Sequence, residues 1–165
     1  MTSVPERYVP KILSKKDKKK QKKELRKSRK LYKKGKYHTR KEVSSFKSKK
    51  SNHVLNAIKM YKVDKILPSK KLAKATKCSV KVLKKIQQKG MGAYYSSGSR
   101  PNQTAHSWGR ARLASAITGG KASAVDYNLL EENCDKSSKA LKLAKKSLKK
   151  YKYGMRKDRK STRLN

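Results

Sequence analysis

The chain of 165 residues is strongly basic: 49 lysines and arginines outnumber 10 aspartates and glutamates, which gives a formal net charge of +39 at pH 7. Hydrophobic residues make up 34% of the sequence, below the roughly 45 to 50% of typical globular domains. These values exclude an ordinary free globular protein. They predict a small core and a partner that is either a polyanion or an acidic protein surface.

The sequence shows no targeting or membrane segment. The start, MTSVPERYVPKILSKKDKKK, lacks the apolar stretch of a secretory signal. No stretch approaches the roughly 20 apolar residues that span a bilayer. Cys78 and Cys134 are far apart and outside any CxxC pair, so a reducing intracellular setting is expected.

Residues 1–50 are predicted to form a basic arm and linker, and the prolines at positions 5 and 10 favour an extended conformation for residues 1–13. Ser14 followed by Asp17 indicates a capped, lysine-rich helix that Gly35 ends. This helix has almost no apolar face to bury and its lysines repel one another, so we expect it to be disordered without anions or a partner. In the linker behind it, Phe46 is expected to pack on the following module.

Residues 51–135 are predicted to form a compact helical module. Its first helix begins at Ser51, where apolar residues start to recur at helical spacing. Two short helices, capped by Ser69 and Ser79, then meet at a three-residue turn, and the second ends at Gly90.

A further helix begins at Thr104 and carries Trp108, the expected largest anchor of the core. Residues 136–165 are predicted to form a basic C-terminal helix, starting at Ser137 or Ser138, and a basic tail. The predicted fold class is therefore mainly α. A small helical module, with a helix-turn-helix-like pair and a Trp-bearing helix, is flanked by extended or helical basic N- and C-terminal arms.

The string LAKATKCSVKVLKKI resembles the core of a helix-turn-helix motif. Lys77 occupies the turn position where such motifs favour glycine, and ordinary helix pairs share this pattern. Plain helical packing is therefore favoured over reading of a DNA groove. If the pair does read DNA, Lys81, Lys84 and Lys85 are expected to face it.

Residues 90–102 are predicted to form a loop rich in glycine, serine and tyrosine. Glycines let backbone amides approach an anion, but a GK[ST] motif and a preceding strand are missing. A connector packed by tyrosines is favoured over a phosphate-binding loop. Tyr94 and Tyr95 are candidates for stacking on unpaired bases, although packing in the core is the preferred interpretation. Trp108 is a candidate for the same two roles.

The module's cationic side chains are the candidate contacts for an anion or a partner. The arginines among them suit bidentate binding of phosphate or carboxylate. The set comprises Lys81, Lys84, Lys85, Lys89, Arg100, Arg110, Arg112 and Lys121.

Residues suited to catalysis are scarce. No aspartate or glutamate occurs between Lys65 and Val125, which excludes paired carboxylates and carboxylate metal sites from that stretch. His38, His53 and His106 are scattered. The sequence predicts a protein that is not an enzyme and has no cofactor or metal.

Three stretches resemble an uncharacterised family of small basic proteins encoded by large nucleocytoplasmic DNA viruses. They are YVPKILSKKDKKKQ, SFKSKKS and KGMGAYYSSGSRPNQTAHSWGRARLASAITGGKASAVDY. The likeness covers about the first 130 residues and leaves out residues 136–165. It implies a viral origin and supplies no catalytic residues.

This resemblance implies a structural component of the virion, a minor capsid protein whose basic arms staple neighbouring capsid subunits. The expected partners are the major and other minor capsid proteins, with nucleic acid as a further partner. The expected location is the capsid shell or interior, after synthesis in the host cytoplasm. The alternative is a DNA-binding protein without sequence specificity that organises the packaged genome. A ribosome-associated protein is a third match by composition.

Overall fold

The computed structural model describes residues 3–151 and the backbone of residues 161–163. Within these residues the chain forms eight α-helices, one short 3-10 helix (Glu6–Tyr8) and one antiparallel pair of short strands, which confirms the predicted mainly α fold class. The strands are β1 (Ser3–Pro5) and β2 (Ser161–Arg163), and the helices are α1 (Lys15–Lys33), α2 (Asn52–Tyr61), α3 (Lys70–Thr76), α4 (Val80–Ser96), α5 (Ala105–Ile117), α6 (Lys121–Val125), α7 (Tyr127–Asn133) and α8 (Lys139–Lys150). The predicted basic tail lies outside the described residues except for β2.

The chain divides into two compact units, each built from separate stretches of sequence. The first unit contains residues 1–49, 91–108 and 157–165, and the second contains residues 50–90 and 109–156. Residues 91–108, which the sequence analysis places in the helical module, therefore belong to the same unit as the N-terminal segment.

The first unit has a hydrophobic core of its own, which corrects the prediction of an extended N-terminal arm. Tyr8 packs edge-on against Trp108, with ring centroids 5.8 Å apart. Trp108 is thus half-buried beside this core rather than the main anchor of the helical module. Phe46, expected on the module, packs here too. The buried members are Val4, Tyr8, Val9, Leu13, Leu25 and Val43.

The α1 helix has few apolar residues, as the sequence indicates, but it does bury a face, and that face is mainly polar. The amide of Gln21 donates a hydrogen bond to the Tyr8 carbonyl at 3.0 Å. His38 Nε2 lies 2.5 Å from Glu24 Oε2. These contacts anchor the helix through hydrogen bonds rather than through apolar area. The buried residues of α1 are Asp17, Gln21, Glu24, Leu25 and Ser28.

The second unit has the larger core, and every helix from α2 to α8 contributes to it. The Tyr61 hydroxyl donates a hydrogen bond to the Ile117 carbonyl, and burial raises the pKa of Tyr61. In α8 the predicted inner positions Leu141 and Ala144 are buried, as expected from their helical spacing. Fully buried members of this core include Ala57, Ile66, Leu72, Leu83, Ile86, Leu113, Ile117 and Leu130.

The helix starts predicted from hydroxyl caps are confirmed for five helices. In each, the capping side chain accepts a hydrogen bond from the backbone N–H three residues further along the chain. The capping residues are Ser14, Ser69, Ser79, Thr104 and Ser138. Each cap satisfies one backbone donor that the first helical turn leaves unpaired. These caps could be predicted because the capping residue and the N–H that it binds are only three residues apart in the sequence.

The predicted end of α4 at Gly90 is wrong. The helix continues to Ser96, so the first part of the predicted loop is helical. A Cβ at Gly90 would lie 2.7 Å from Gly109 Cα, closer than real Cβ atoms come. Gly90 therefore permits a close approach of α4 to α5. The positive φ that follows the helix end occurs later, at Gly98 (φ 125°).

Candidate nucleic-acid interface

The turn between α3 and α4 contains a residue in the left-handed conformation, at the position where helix-turn-helix motifs favour glycine. Lys77, directly after α3, adopts the left-handed conformation with φ 56° and ψ 37°. This conformation normally favours glycine because a side chain crowds the backbone there. At the position where the sequence departs from the motif, lysine thus adopts the backbone conformation expected of glycine. The hydroxyl of Ser79 then caps α4, accepting from the Val82 N–H at 3.2 Å.

A disulfide holds this turn against the end of α7. Cys78, in the middle of the turn, is bonded to Cys134. A backbone hydrogen bond from the Ser79 N–H to the Asn133 carbonyl, at 3.0 Å, lies beside the bridge. The sequence left open whether the two cysteines approach each other, because they are 56 residues apart. The fold brings them together, which their spacing did not reveal.

The N-terminal half of α4 has one apolar and one basic face. Val82, Leu83 and Ile86 are buried in the core of the second unit. On the other side, Lys81, Lys84 and Lys85 are exposed at helical spacing, and Gln88 is exposed one turn further on. None of these three lysines has an ion-pair partner among the residues that the structure describes.

Two of the candidate contacts, Lys89 and Arg112, pair with an internal carboxylate. Arg112 binds both oxygens of Asp126, with Nε at 3.0 Å and an Nη at 2.8 Å. Lys89 Nζ lies 3.2 Å from the same carboxylate. The Asp126 side chain is completely buried. Both cations therefore neutralise a buried charge, and their contact with an external anion stays a prediction.

The remaining candidates are divided between the two units. Arg100 is exposed in the first unit. Arg110 and Lys121 are half-buried in the second, and the buried Nε of Arg110 has no hydrogen-bond partner within residues 3–151. In the described ranges no group of three or more His, Cys, Asp or Glu side chains is placed to hold a metal ion.

Tyr94 fills the core of the first unit, as the preferred interpretation predicts. Its side chain is completely buried, and its hydroxyl accepts a hydrogen bond from the Arg40 N–H at 3.0 Å. The Arg40 guanidinium covers the ring at 3.7 Å from its centroid. Sequence reasoning missed Arg40, because nothing local distinguishes it from the other cations of its basic segment.

Tyr95 belongs to a second aromatic group that sequence reasoning also missed. Its ring centroid lies 5.0 Å from that of Tyr37. It lies 6.5 Å from that of Tyr32, and the planes of Tyr95 and Tyr32 are nearly parallel, at 8°. We call Tyr32, Tyr37 and Tyr95 the tyrosine cluster. The first two come from the end of α1 and the segment after it, and the third from the end of α4, so no sequence spacing linked them.

Comparison with known proteins yields one match. A family model with the description "family of unknown function (DUF5824)" matches residues 5–130. The matched stretch includes α1 to α6 and ends before α8. No curated protein and no solved structure matches the chain. Within the described part of the chain, no helix is both long and apolar enough to cross a membrane.

Proposed function

This chain belongs to DUF5824, a family of unknown function, and we propose from its structure that it binds nucleic acid through the phosphates, with little dependence on base sequence. The observation that carries the proposal is the exposed face of α4. There Lys81, Lys84 and Lys85 follow a turn in which Lys77 adopts the left-handed conformation, and they have no carboxylate partner in the described structure.

The fold makes the protein surface more basic than the composition suggests. Asp17, Glu24 and Asp126 are buried against partners of the same chain, whereas the lysines remain largely in solvent. Exposed cations attract a polyanion, and binding to one releases its condensed counterions. The carboxylates that would repel a polyanion are few, and some of them are buried.

The helix pair places the basic face where a nucleic acid can reach it. In helix-turn-helix proteins the second helix contacts DNA through residues near its N-terminus. In α4 those positions carry Lys81, Lys84 and Lys85. A lysine ammonium is a flexible point charge that suits a phosphate better than a defined base edge. We therefore expect salt-sensitive binding with weak sequence preference.

The α8 helix supplies a second basic surface in the same unit. Its inner side is buried in the core through Ala140, Leu141 and Ala144. Its outer side consists almost entirely of lysines, which extend the area available to phosphates. The exposed lysines of α8 are Lys139, Lys142, Lys145, Lys146, Lys149 and Lys150.

Fluorescence anisotropy with labelled 20-base-pair duplexes tests the proposal. Two duplexes of different sequence are titrated at several salt concentrations with the protein and with the Lys81→Gln, Lys84→Gln, Lys85→Gln triple variant. Each lost phosphate contact reduces the slope of log K against log salt by about 0.9. The triple variant should therefore bind both duplexes more weakly and show a slope smaller by roughly 2 to 3.

A matched control removes the same charge elsewhere. The Lys59→Gln, Lys65→Gln, Lys136→Gln variant also replaces three exposed lysines of the second unit. We expect it to retain most of the wild-type affinity and slope. Equal losses in the two variants would contradict the assignment to α4. Absence of duplex binding by the wild-type protein, or binding that salt does not weaken, would contradict the proposed function itself.

The minor capsid role implied by the viral resemblance stays a prediction. The exposed lysine faces of α4 and α8 support it in one respect, because carboxylates on capsid proteins would pair with them as phosphates do. Mass spectrometry of purified particles from a virus encoding the protein is the direct test. If the protein is absent from such particles, the capsid role is contradicted and the proposal of nucleic-acid binding is unaffected.

A further inference from the structure

The tyrosine cluster is exposed, which distinguishes it from the aromatic residues that build the core. Tyr37 is 72% exposed and Tyr32 is 37% exposed, whereas Tyr94, directly before Tyr95, is 0% exposed. A chain with few large apolar residues is expected to bury its tyrosines. Two exposed tyrosines beside the half-buried Tyr95 therefore need a reason other than core packing.

The three rings of the cluster lie close together. The centroid distances from Tyr95 are 5.0 Å to Tyr37 and 6.5 Å to Tyr32, and Tyr32 and Tyr37 are 6.2 Å apart. The backbone of Tyr95 is tied to α1, because its carbonyl accepts a hydrogen bond from the buried Ser28 hydroxyl at 3.2 Å. The rings thus form a small aromatic surface anchored on two helices.

The sequence around the cluster is strongly basic. Residues 26–36, which include Tyr32, contain seven lysines or arginines and no acidic residue. Arg29 is oriented by the Ser97 carbonyl, to which its Nε and an Nη donate at 2.9 and 2.7 Å. A ligand for this surface must carry negative charge and present flat faces to the rings.

We infer that the tyrosine cluster is a stacking site for unpaired bases of single-stranded nucleic acid. Bases supply the flat faces, and the phosphates that link them match the surrounding cations. An acidic protein surface would satisfy the charge and leave the rings without a matching partner. Duplex DNA hides its base faces within the stack, so this site differs in ligand from the basic face of α4. The inference rests on the proposed function only in requiring affinity for phosphates.

An oligonucleotide pair with the same charge separates stacking from phosphate binding. We would measure anisotropy with a labelled 12-nucleotide oligothymidylate and with an abasic strand of the same length. The wild-type protein should bind the thymidylate strand at least about tenfold more tightly, since stacking on even one base gives a difference of this order. The Tyr32→Ala, Tyr37→Ala double variant should reduce that preference to less than about threefold and leave the abasic affinity unchanged.

Two control variants protect this test against a folding artefact. Tyr37→Phe keeps the aromatic ring and should retain the preference for the thymidylate strand. Ile12→Ala removes a different side chain of the first unit, which is 75% exposed, and should also retain that preference. Equal wild-type affinity for the two strands would overturn the inference, as would a double variant that weakens both strands alike. If either result occurs while duplexes still bind with the expected salt dependence, only the inference of a stacking site is contradicted. If no nucleic acid binds, the proposed function fails as well.

Discussion

The Arg40 guanidinium lies 3.7 Å from the centroid of the Tyr94 ring, buried in the first unit without an ion-pair carboxylate among the described residues. Its Nη groups donate hydrogen bonds to the Ser28 and Ser99 hydroxyls at 2.9 and 2.7 Å, and to the Tyr94 carbonyl at 2.6 Å. Burial lowers the pKa of Arg40 because desolvation disfavours the charged form. The charge is stabilised by neutral acceptors and by the aromatic face.

Replacing Arg40 with alanine should destabilise the first unit by about 3 kcal/mol, because several buried acceptors lose their donor together. Arg40→Lys should recover little of this loss, since a lysine lacks the branched donors that reach two serines and a carbonyl. Urea denaturation followed by the fluorescence of Trp108, which packs beside the same core, measures the change.

The exposed Arg100 provides the matched control in the same unit. Arg100→Ala should change the free energy of unfolding by less than about 0.5 kcal/mol. Losses of similar size at the two positions would show that Arg40 contributes only its charge and not its buried hydrogen bonds.

The sequence predicts what depends on neighbouring residues and misses what depends on distant ones. The Ser69 and Ser79 caps act on the next turn of the chain, and the structure confirms both. The buried face of α1 is polar, so a search for apolar periodicity cannot detect it. Its partners, such as Tyr8 for Gln21 and Arg40 for Ser28, come from other segments and have no local pattern.

Glycine gives an ambiguous signal in α4. The sequence pattern around Gly90 predicts a helix end, because a glycine after apolar helical spacing is typical of one. In the folded protein this residue serves the contact with Gly109 instead, since a Cβ in its place would come within 2.7 Å of the Gly109 Cα. The same residue type suits both purposes, and only the position of α5 decides between them. The tyrosine cluster and the Cys78–Cys134 bridge likewise depend on how distant segments pack, so the sequence pattern could not predict them.

Two glycine substitutions in α4 should act in opposite directions. Gly90→Ala should destabilise the second unit by about 1 to 3 kcal/mol, because the new methyl group meets the Gly109 backbone, which cannot move aside cheaply. Gly92→Ala meets only the Tyr32 hydroxyl at 3.9 Å, an ordinary contact. It should stabilise the helix by up to about 1 kcal/mol, since alanine has the higher helix propensity.

Thermal unfolding followed by circular dichroism compares the two variants with the wild-type protein. A lower midpoint for Gly90→Ala and an equal or higher one for Gly92→Ala is the expected pair of results. If both variants gain stability, Gly90 does not mediate a close helix contact and its contribution is conformational only.

Reducing the Cys78–Cys134 disulfide should lower the free energy of unfolding. The bridge joins residues 56 positions apart, and the chain-entropy model gives about 4 kcal/mol for a loop of this length. Urea denaturation with and without a dithiol reductant measures the loss. The Cys134→Ser variant is the control, because its stability should be low in both conditions and unaffected by the reductant. Two titratable thiols in the unreduced, denatured protein would contradict the bridge.

Acid should weaken the attachment of α1 through Asp17. Its Oδ2 accepts hydrogen bonds from the Ser45 hydroxyl and, at 2.9 Å, from the Ser45 N–H. These bonds, the hydroxyl first, lower the pKa of Asp17. A carboxyl group whose folded pKa lies below the unfolded value of about 3.9 stabilises the fold above that pH. Its contribution is lost as the pH falls through the folded value.

The Asp17→Asn variant isolates this contribution from those of the other carboxylates. Asparagine keeps an acceptor for Ser45 and does not titrate, so the variant should be less stable than wild type at pH 6 and lose less stability between pH 5 and pH 3. Glu42→Gln removes an exposed carboxylate near Ser45 in sequence and should follow the wild-type acid response. Urea midpoints from Trp108 fluorescence provide the comparison. Parallel acid losses in the wild type and Asp17→Asn would show that the Asp17–Ser45 contact does not depend on the carboxylate charge.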